Sequence, residues 1–194
     1  MRLAPAAHTS RPWRIHGIAH DFTVQDVWAL PTPGGPDDFP RLLQALRSGR
    51  FPDDSSLPVR FLWEVRRRLG ALLGWDGGPD GGARFPSLVE RLPADLRDRP
   101  TGPPPGGPFS ALYATDDEYA AELANRTVHA VMHLGWVPDG SGGHRGQMAV
   151  LVKPNGTLGT AYMAAVAPFR HLVVYPQLMR SCGRRWEALA DAGR

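Results

Sequence analysis

The sequence predicts an α+β fold in which a curved antiparallel sheet wraps around a long C-terminal helix, with two short helices after the first strand. Three observations predict it. Strand patterns crowd residues 109–165, helical patterns lie earlier at 38–48 and 58–73, and an apolar stripe at helical spacing occupies 168–190. The 194 residues suit one domain, since a chain of about 150 residues already buries roughly 70% of its surface. Hydrophobic residues at 42% and charged residues at 21% fit a packed chain rather than a disordered one.

Residues 1–12 read as a flexible tail and 13–194 as the domain. The segment DFTVQDVWAL at 21–30 is rich in Val, Phe and Trp and reads as a strand, ended by Pro31, Pro33, Gly34 and Gly35. The helix at 38–48 has Asp37 or Asp38 as its cap, Pro40 in its first turn and Gly49 as its stop. In the helix at 58–73, capped by Ser56, Leu62, Val65, Leu69 and Leu72 share a face, and Arg66, Arg67 and Arg68 lie mostly on the other side. Residues 74–108, broken by Gly77-Gly78-Pro79 and Pro103-Pro104-Pro105, read as an irregular excursion of the kind that serves as a lid.

Strands follow at 109–114 and 127–137, while EYAAEL at 118–123 fits strand or helix. A glycine-rich turn covers 138–145, and a hairpin is expected from 147–152 and 158–165 around Pro154-Asn155-Gly156. The last helix, with Pro168 in its first turn, is about 30 Å long if it holds about 20 residues, enough to cross a sheet. Pro176 should kink it, because proline removes a backbone donor and crowds the preceding turn.

The 22 basic residues include one lysine, Lys153, and the arginines are scattered among acids, so the net charge of +3 makes no nucleic-acid footprint. Cys182 stands alone, which excludes an intrachain disulfide and a cysteine zinc site and suits a reducing, cytoplasmic compartment. No signal-peptide core or membrane-length apolar run is present, so no membrane partner is expected. No glycine-rich phosphate or dinucleotide fingerprint occurs, and no cofactor is expected.

The segments DFTVQDVWALPTPGG at 21–35, NRTVHAVMHLGWV at 125–137, GQMAVLVKPNG at 146–156 and YMAAVAPFRHLVVYPQLM at 162–179 resemble the DUF2867 family of bacterial proteins of unknown function. With the helices between them the resemblance covers nearly all of 13–190. It implies a helix-grip fold of the START or Bet v 1-like (SRPBCC) kind, often with an apolar cavity between sheet and long helix. The order of predicted elements agrees with that fold.

His129 and His133 have the spacing of two metal ligands on a helix, but on a strand they lie about 13 Å apart on one face, too far to share an ion. Metal binding is therefore not expected. Val128, Ala130, Met132, Leu134 and Trp136 form the opposite, wholly apolar face, which suits the cavity. The histidines would then point outward, to solvent or a partner subunit. The expected ligand-binding set is Tyr113, Met132, Trp136, Tyr162, Arg170, His171 and Tyr175. For catalysis Glu118, Glu122, His171 and Tyr162 are the candidates, because a carboxylate or imidazole in an apolar pocket moves protons and a tyrosine steadies an oxyanion.

Three functions fit. The first is binding of a hydrophobic or polyketide-like small molecule in the cavity. The second is a cofactor-free cyclase, dehydratase or isomerase of natural-product biosynthesis on the same scaffold. The third is a homodimeric or larger scaffold joined through Trp136 or Trp186.

Overall fold

The computed structural model describes residues 1–47, 86–99, 101, 109–125 and 127–192. The helix expected at 58–73 and much of the excursion at 74–108 lie outside the described residues. Among those described, the strands are β1 (Arg2–Leu3), β2 (Thr23–Ala29), β3 (Ser110–Ala114), β4 (Glu118–Ala124), β5 (Val128–Pro138) and β6 (His144–Pro154). They form one open antiparallel sheet in the order β1-β2-β6-β5-β4-β3. The ambiguous EYAAEL segment is a central strand because its alternation matches β5 residue for residue, from Glu118 opposite Gly135 to Ala124 opposite His129.

Helices cover both faces. One face carries α3 (Phe39–Arg47) and the C-terminal helix, in which α5 (Gly156–Phe169), a π-helical turn (Arg170–Val174) and α6 (Tyr175–Ala192) run on without a break. Leu134, Trp136 and Met148 of the sheet pack there with Phe39, Leu42, Tyr175, Met179 and Trp186. The apolar face read from 128–136 is thus the helix-facing side. Trp136 and Trp186 bury each other, with ring centroids 5.8 Å apart, so neither offers a joint to another chain.

On the opposite face lie α1 (Ala6–Thr9), α2 (Ile15–Ile18), a 3₁₀ turn (Leu88–Arg91) and α4 (Ala94–Arg97). Trp13, Ile15, Ile18, Leu88, Leu92 and Leu96 close over Val131, Ala149 and Leu151 of the sheet. Two expectations are corrected here. Residues 1–12 are no loose tail: Arg2 and Leu3 pair with Trp28 and Val27, and His8 is fully buried. Nor does the histidine face meet solvent, because residues 1–22 and 86–99 cover it.

The hairpin expected beyond β6 is also corrected. Gly156 does take a positive φ of 70°, as Asn-Gly turns do, but the chain goes on into a helix. Ala161, Ala164, Ala165 and Ala167 favour helix over strand. The C-terminal helix therefore starts a dozen residues before Pro168, which falls inside it. Pro168 and Pro176 bracket the π turn. Each lacks the N–H that would close an α-helical bond, and the backbone slips register between them.

Candidate functional site

The π turn aims two basic side chains at one buried acid. Asp26, on β2 just after a register shift, accepts from His171 Nε2 at 2.5 Å and from Tyr175 Oη at 2.9 Å. Arg170 and Arg2 add ion pairs at 3.3 and 3.5 Å. Burial, and then the Asp26 charge, push the Tyr175 hydroxyl well above its ordinary value, so it stays a donor.

Beside this cluster the sheet is only partly covered. Asp26, Val150, Met132 and Ala121 are successive cross-strand neighbours, and Val150 and Met132, like Trp28, stay half-buried. Trp28 leans on Tyr175 with centroids 4.9 Å apart, and its buried Nε1 has no hydrogen-bond partner among the described residues. Arg170 reaches Met163 Sδ at 3.9 Å. The N-terminal half of the C-terminal helix is apolar yet mostly uncovered, with Leu172 at 77% exposure.

The other face holds a second constellation. Glu118 accepts from the Arg14 backbone N–H at 3.1 Å and from Tyr113 Oη at 3.1 Å, and lies 2.9 Å from His133 Nε2. His133 Nδ1 meets His8 Nε2 at 3.1 Å, and His8 Nδ1 meets His16 Nε2 at 3.2 Å. With Glu118 as acceptor, His133 donates from Nε2 and accepts at Nδ1. The same tautomer follows for His8 and His16, so the chain of donors points one way, from the half-exposed His16 to the buried Glu118. Burial, with His133 and His16 nearby, lowers the His8 imidazole to about 3. Burial lowers His16 as well, followed by His133. The Tyr113 hydroxyl is pushed far up by burial and by Glu118.

Four residues along, Glu122 Oε2 lies 2.8 Å from His129 Nε2, accepts from the Leu88 N–H at 3.0 Å, and binds the Ser87 hydroxyl through Oε1. Burial acts to raise the Glu122 carboxyl, but the bonds from His129, Ser87 and Leu88 together outweigh it and hold the group below its ordinary value. Phe22 packs against the His129 ring edge to face at 5.0 Å.

The DUF2867 family, described as a protein of unknown function, matches residues 18–177. The chain belongs to that family. No curated protein and no solved structure matches it. The DUF2867 match takes in Asp26, Arg170, His171, Tyr175 and both glutamate–histidine pairs, and does not reach Arg2, His8 or His16.

Within this DUF2867 chain the sequence-predicted residues do not converge on one site. Arg170, His171 and Tyr175 come together, with Met132 beside them, and Trp136 lies in the closed part of the same face. Tyr113, Glu118 and Glu122 belong to the opposite face. Tyr162 falls on α5 rather than on a strand. Sequence reasoning missed Asp26, His8 and His16. The signal for Asp26 was an acid in the middle of the apolar strand TVQDVWA; His8 was set aside with residues 1–12, read as a tail, and His16 lay before the first predicted strand, in a stretch given no element.

Proposed function

We propose that the protein binds a largely apolar small molecule, polyketide-like in character, between the sheet and the N-terminal half of the C-terminal helix, in the manner of a helix-grip domain. The carrying observation is the polar cluster on Asp26 standing at the edge of the half-buried apolar row of Trp28, Met132 and Val150. Binding sites for such ligands combine an apolar lining with a few converging polar groups. Trp28 Nε1 and Arg170 supply donors for an oxygen of the ligand, and covering the row removes apolar surface from water at about 25 cal/mol per Å².

Native mass spectrometry of the purified chain, incubated with an extract of the cells that make it, tests the reading. A discrete adduct released on denaturation is expected, and Met132→Trp, which fills the row, should abolish it without loss of folding. An adduct that survives Met132→Trp sinks the proposed location, and no adduct in the unaltered protein sinks the function.

A second reading, cofactor-free proton-transfer catalysis at the same place, is favoured by the Asp26–His171 contact. A carboxylate on one ring nitrogen orients an imidazole, fixes its tautomer and leaves the other nitrogen to accept a proton. His171→Gln should then keep the adduct and stop any conversion of the bound compound. Conversion that continues unchanged in His171→Gln removes the catalytic reading and leaves the binding one.

A further inference from the structure

Residues 1–22 lie across the histidine face of the sheet and are fastened at both ends and in the middle. At one end Arg2 and Leu3 pair with β2. At the other Asp21 is bridged to Arg91 at 2.7 Å and to Lys153 at 2.8 Å. The middle fastening is the chain His16–His8–His133–Glu118. We propose that this chain is a proton-operated latch, which keeps residues 6–18 on the sheet while it carries no more than one extra proton and releases them when it takes a second.

The hydrogen-bond inventory sets that limit. With no extra proton each imidazole donates toward Glu118. One proton entering at His16 Nδ1 reverses the sense of the two nitrogen–nitrogen bonds and leaves an imidazolium at His133 against Glu118, with every bond kept. A second proton on the imidazoles has to set N–H against N–H at one of the two contacts, 3.1 and 3.2 Å long, and that contact breaks. The rings are already close, with centroids 4.9 Å apart at both steps, and only one carboxylate serves them.

The other groups facing the chain do not relieve this. From its own segment come Arg14, whose guanidinium is taken by Asp95 of α4 at 2.5 Å, and Arg11, which leans over Trp13. Tyr113 of β3 and the Arg14 N–H already occupy Glu118. The neighbouring Glu122 is held by His129, Ser87 and Leu88. Gln147 of β6 is neutral and donates to Ala7 O at 3.2 Å, and Arg145 lines a surface groove with it, Ala7 and Arg11. Among the described residues Glu118 is the carboxylate hydrogen-bonded to these rings.

The sign follows. The released segment takes up protons on His8 and His16 near the ordinary value of 6.5, whereas the closed latch resists, His8 falling to about 3. The open state therefore binds more protons between those values, and the closed-to-open ratio falls as pH drops below 6.5, about tenfold per pH unit for each extra proton.

Hydrogen exchange of the full chain from pH 7.5 to 4.5, corrected for intrinsic rates, reads this directly. Peptides within residues 6–18 should lose protection about tenfold or more per unit below pH 6.5, while α6 keeps its own. His8→Gln can donate and accept but cannot titrate, and should flatten the loss by about tenfold per unit. Loss of protection at 6–18 and in α6 together, no loss at all, or an unchanged slope in His8→Gln overturns the latch. Should His8→Gln not fold, nitrogen-15 NMR of the histidines in the unaltered protein decides. The three rings must share one sense at pH 7.5, either Nε2–H on His8, His16 and His133 or, with one extra proton, Nδ1–H on His8 and His16 with both nitrogens of His133 protonated, and any mixed pattern overturns the chain.

Discussion

The two glutamate–histidine pairs on the covered face have one geometry and two fates. Glu118 and Glu122 are four residues apart on β4, His129 and His133 four apart on β5, and each carboxylate meets its imidazole by the same diagonal step across the ladder. The difference lies in what covers them. Over Glu122 and His129 sit Ser87, the Leu88 N–H and Phe22, and the network ends there. Over His133 sits His8, and beyond it His16, so the network runs on toward solvent. Strand register makes the pairs; the segment laid on top decides whether a pair is a closed clamp or the inner end of a proton path.

Glu118→Ala should separate the pairs most strongly. It strips the acceptor from His133, Tyr113 and the Arg14 N–H at once, all at or near a residue only 4% exposed. Removing one partner of such a buried network costs about 3–5 kcal/mol. Urea unfolding should show that loss, together with early exposure of residues 1–22. Glu122→Ala should cost less, about 2–3 kcal/mol, and leave residues 1–22 protected. Equal losses from the two would erase the distinction.

The pairs should also separate by pH. The His8 contribution is present above 6.5 and is lost as pH falls toward about 3, because the unfolded chain takes the proton that the folded one refuses. The Glu122 carboxyl is lowered from an ordinary value of 4.5, so its contribution is whole above that value and is lost only as pH falls below it. Stability measured in steps from pH 7.5 to 4 should therefore start to fall near 6.5 in the unaltered protein. In His8→Gln the fall should be shallower between 6.5 and 4.5, because only His16 still resists its proton there.

A third test uses Trp13, whose ring lies 5.2 Å from His133. A Cβ added at Gly135 would stand 2.6 Å from the Trp13 ring. Gly135→Ala should push the indole off the histidine at a cost of about 1–3 kcal/mol and shift its fluorescence, leaving the Glu122–His129 clamp untouched.

These pairs also show where the sequence was legible. The period-2 alternation of 128–136 announced a strand with one apolar face and one histidine face, and the apolar face did meet the C-terminal helix. The same alternation put Glu118 and Glu122 on one side of their segment. What it lacked was the register that lays one set beside the other, a property of two strands rather than of either. The cover was harder still. Residues 1–12 were read as a flexible tail, and only tertiary contact reveals that His8 sits on His133. At the helix face, the Pro154-Asn155-Gly156 stretch was read as a hairpin turn, and the helix propensity of the alanines after it prevailed. Arg170, His171 and Tyr175 were grouped at the start of the terminal helix, whereas they lie at its middle, and their common partner Asp26 lay 144 residues before Arg170, on a strand whose pairing the periodicity could not supply.

The smallest effect is expected at the lid of the clamp. Ser87 holds two groups at once: its hydroxyl donates to Glu122, and its oxygen accepts from the Val89 N–H at 3.1 Å, capping the 3₁₀ turn. Ser87→Ala removes both bonds, but Glu122 keeps His129 and the Leu88 N–H. The loss should be about 1 kcal/mol, the usual worth of a cap. It should also be coupled to the carboxylate: in Glu122→Gln, whose amide makes a weaker bond to the hydroxyl, Ser87→Ala should cost less than in the unaltered chain. A double-mutant cycle by urea unfolding measures this coupling. If the two changes add without interaction, Ser87 serves the turn alone and the clamp is only a pair. If they couple while residues 1–22 keep their exchange protection, the closed network on β4 and β5 is independent of the one that runs through His8.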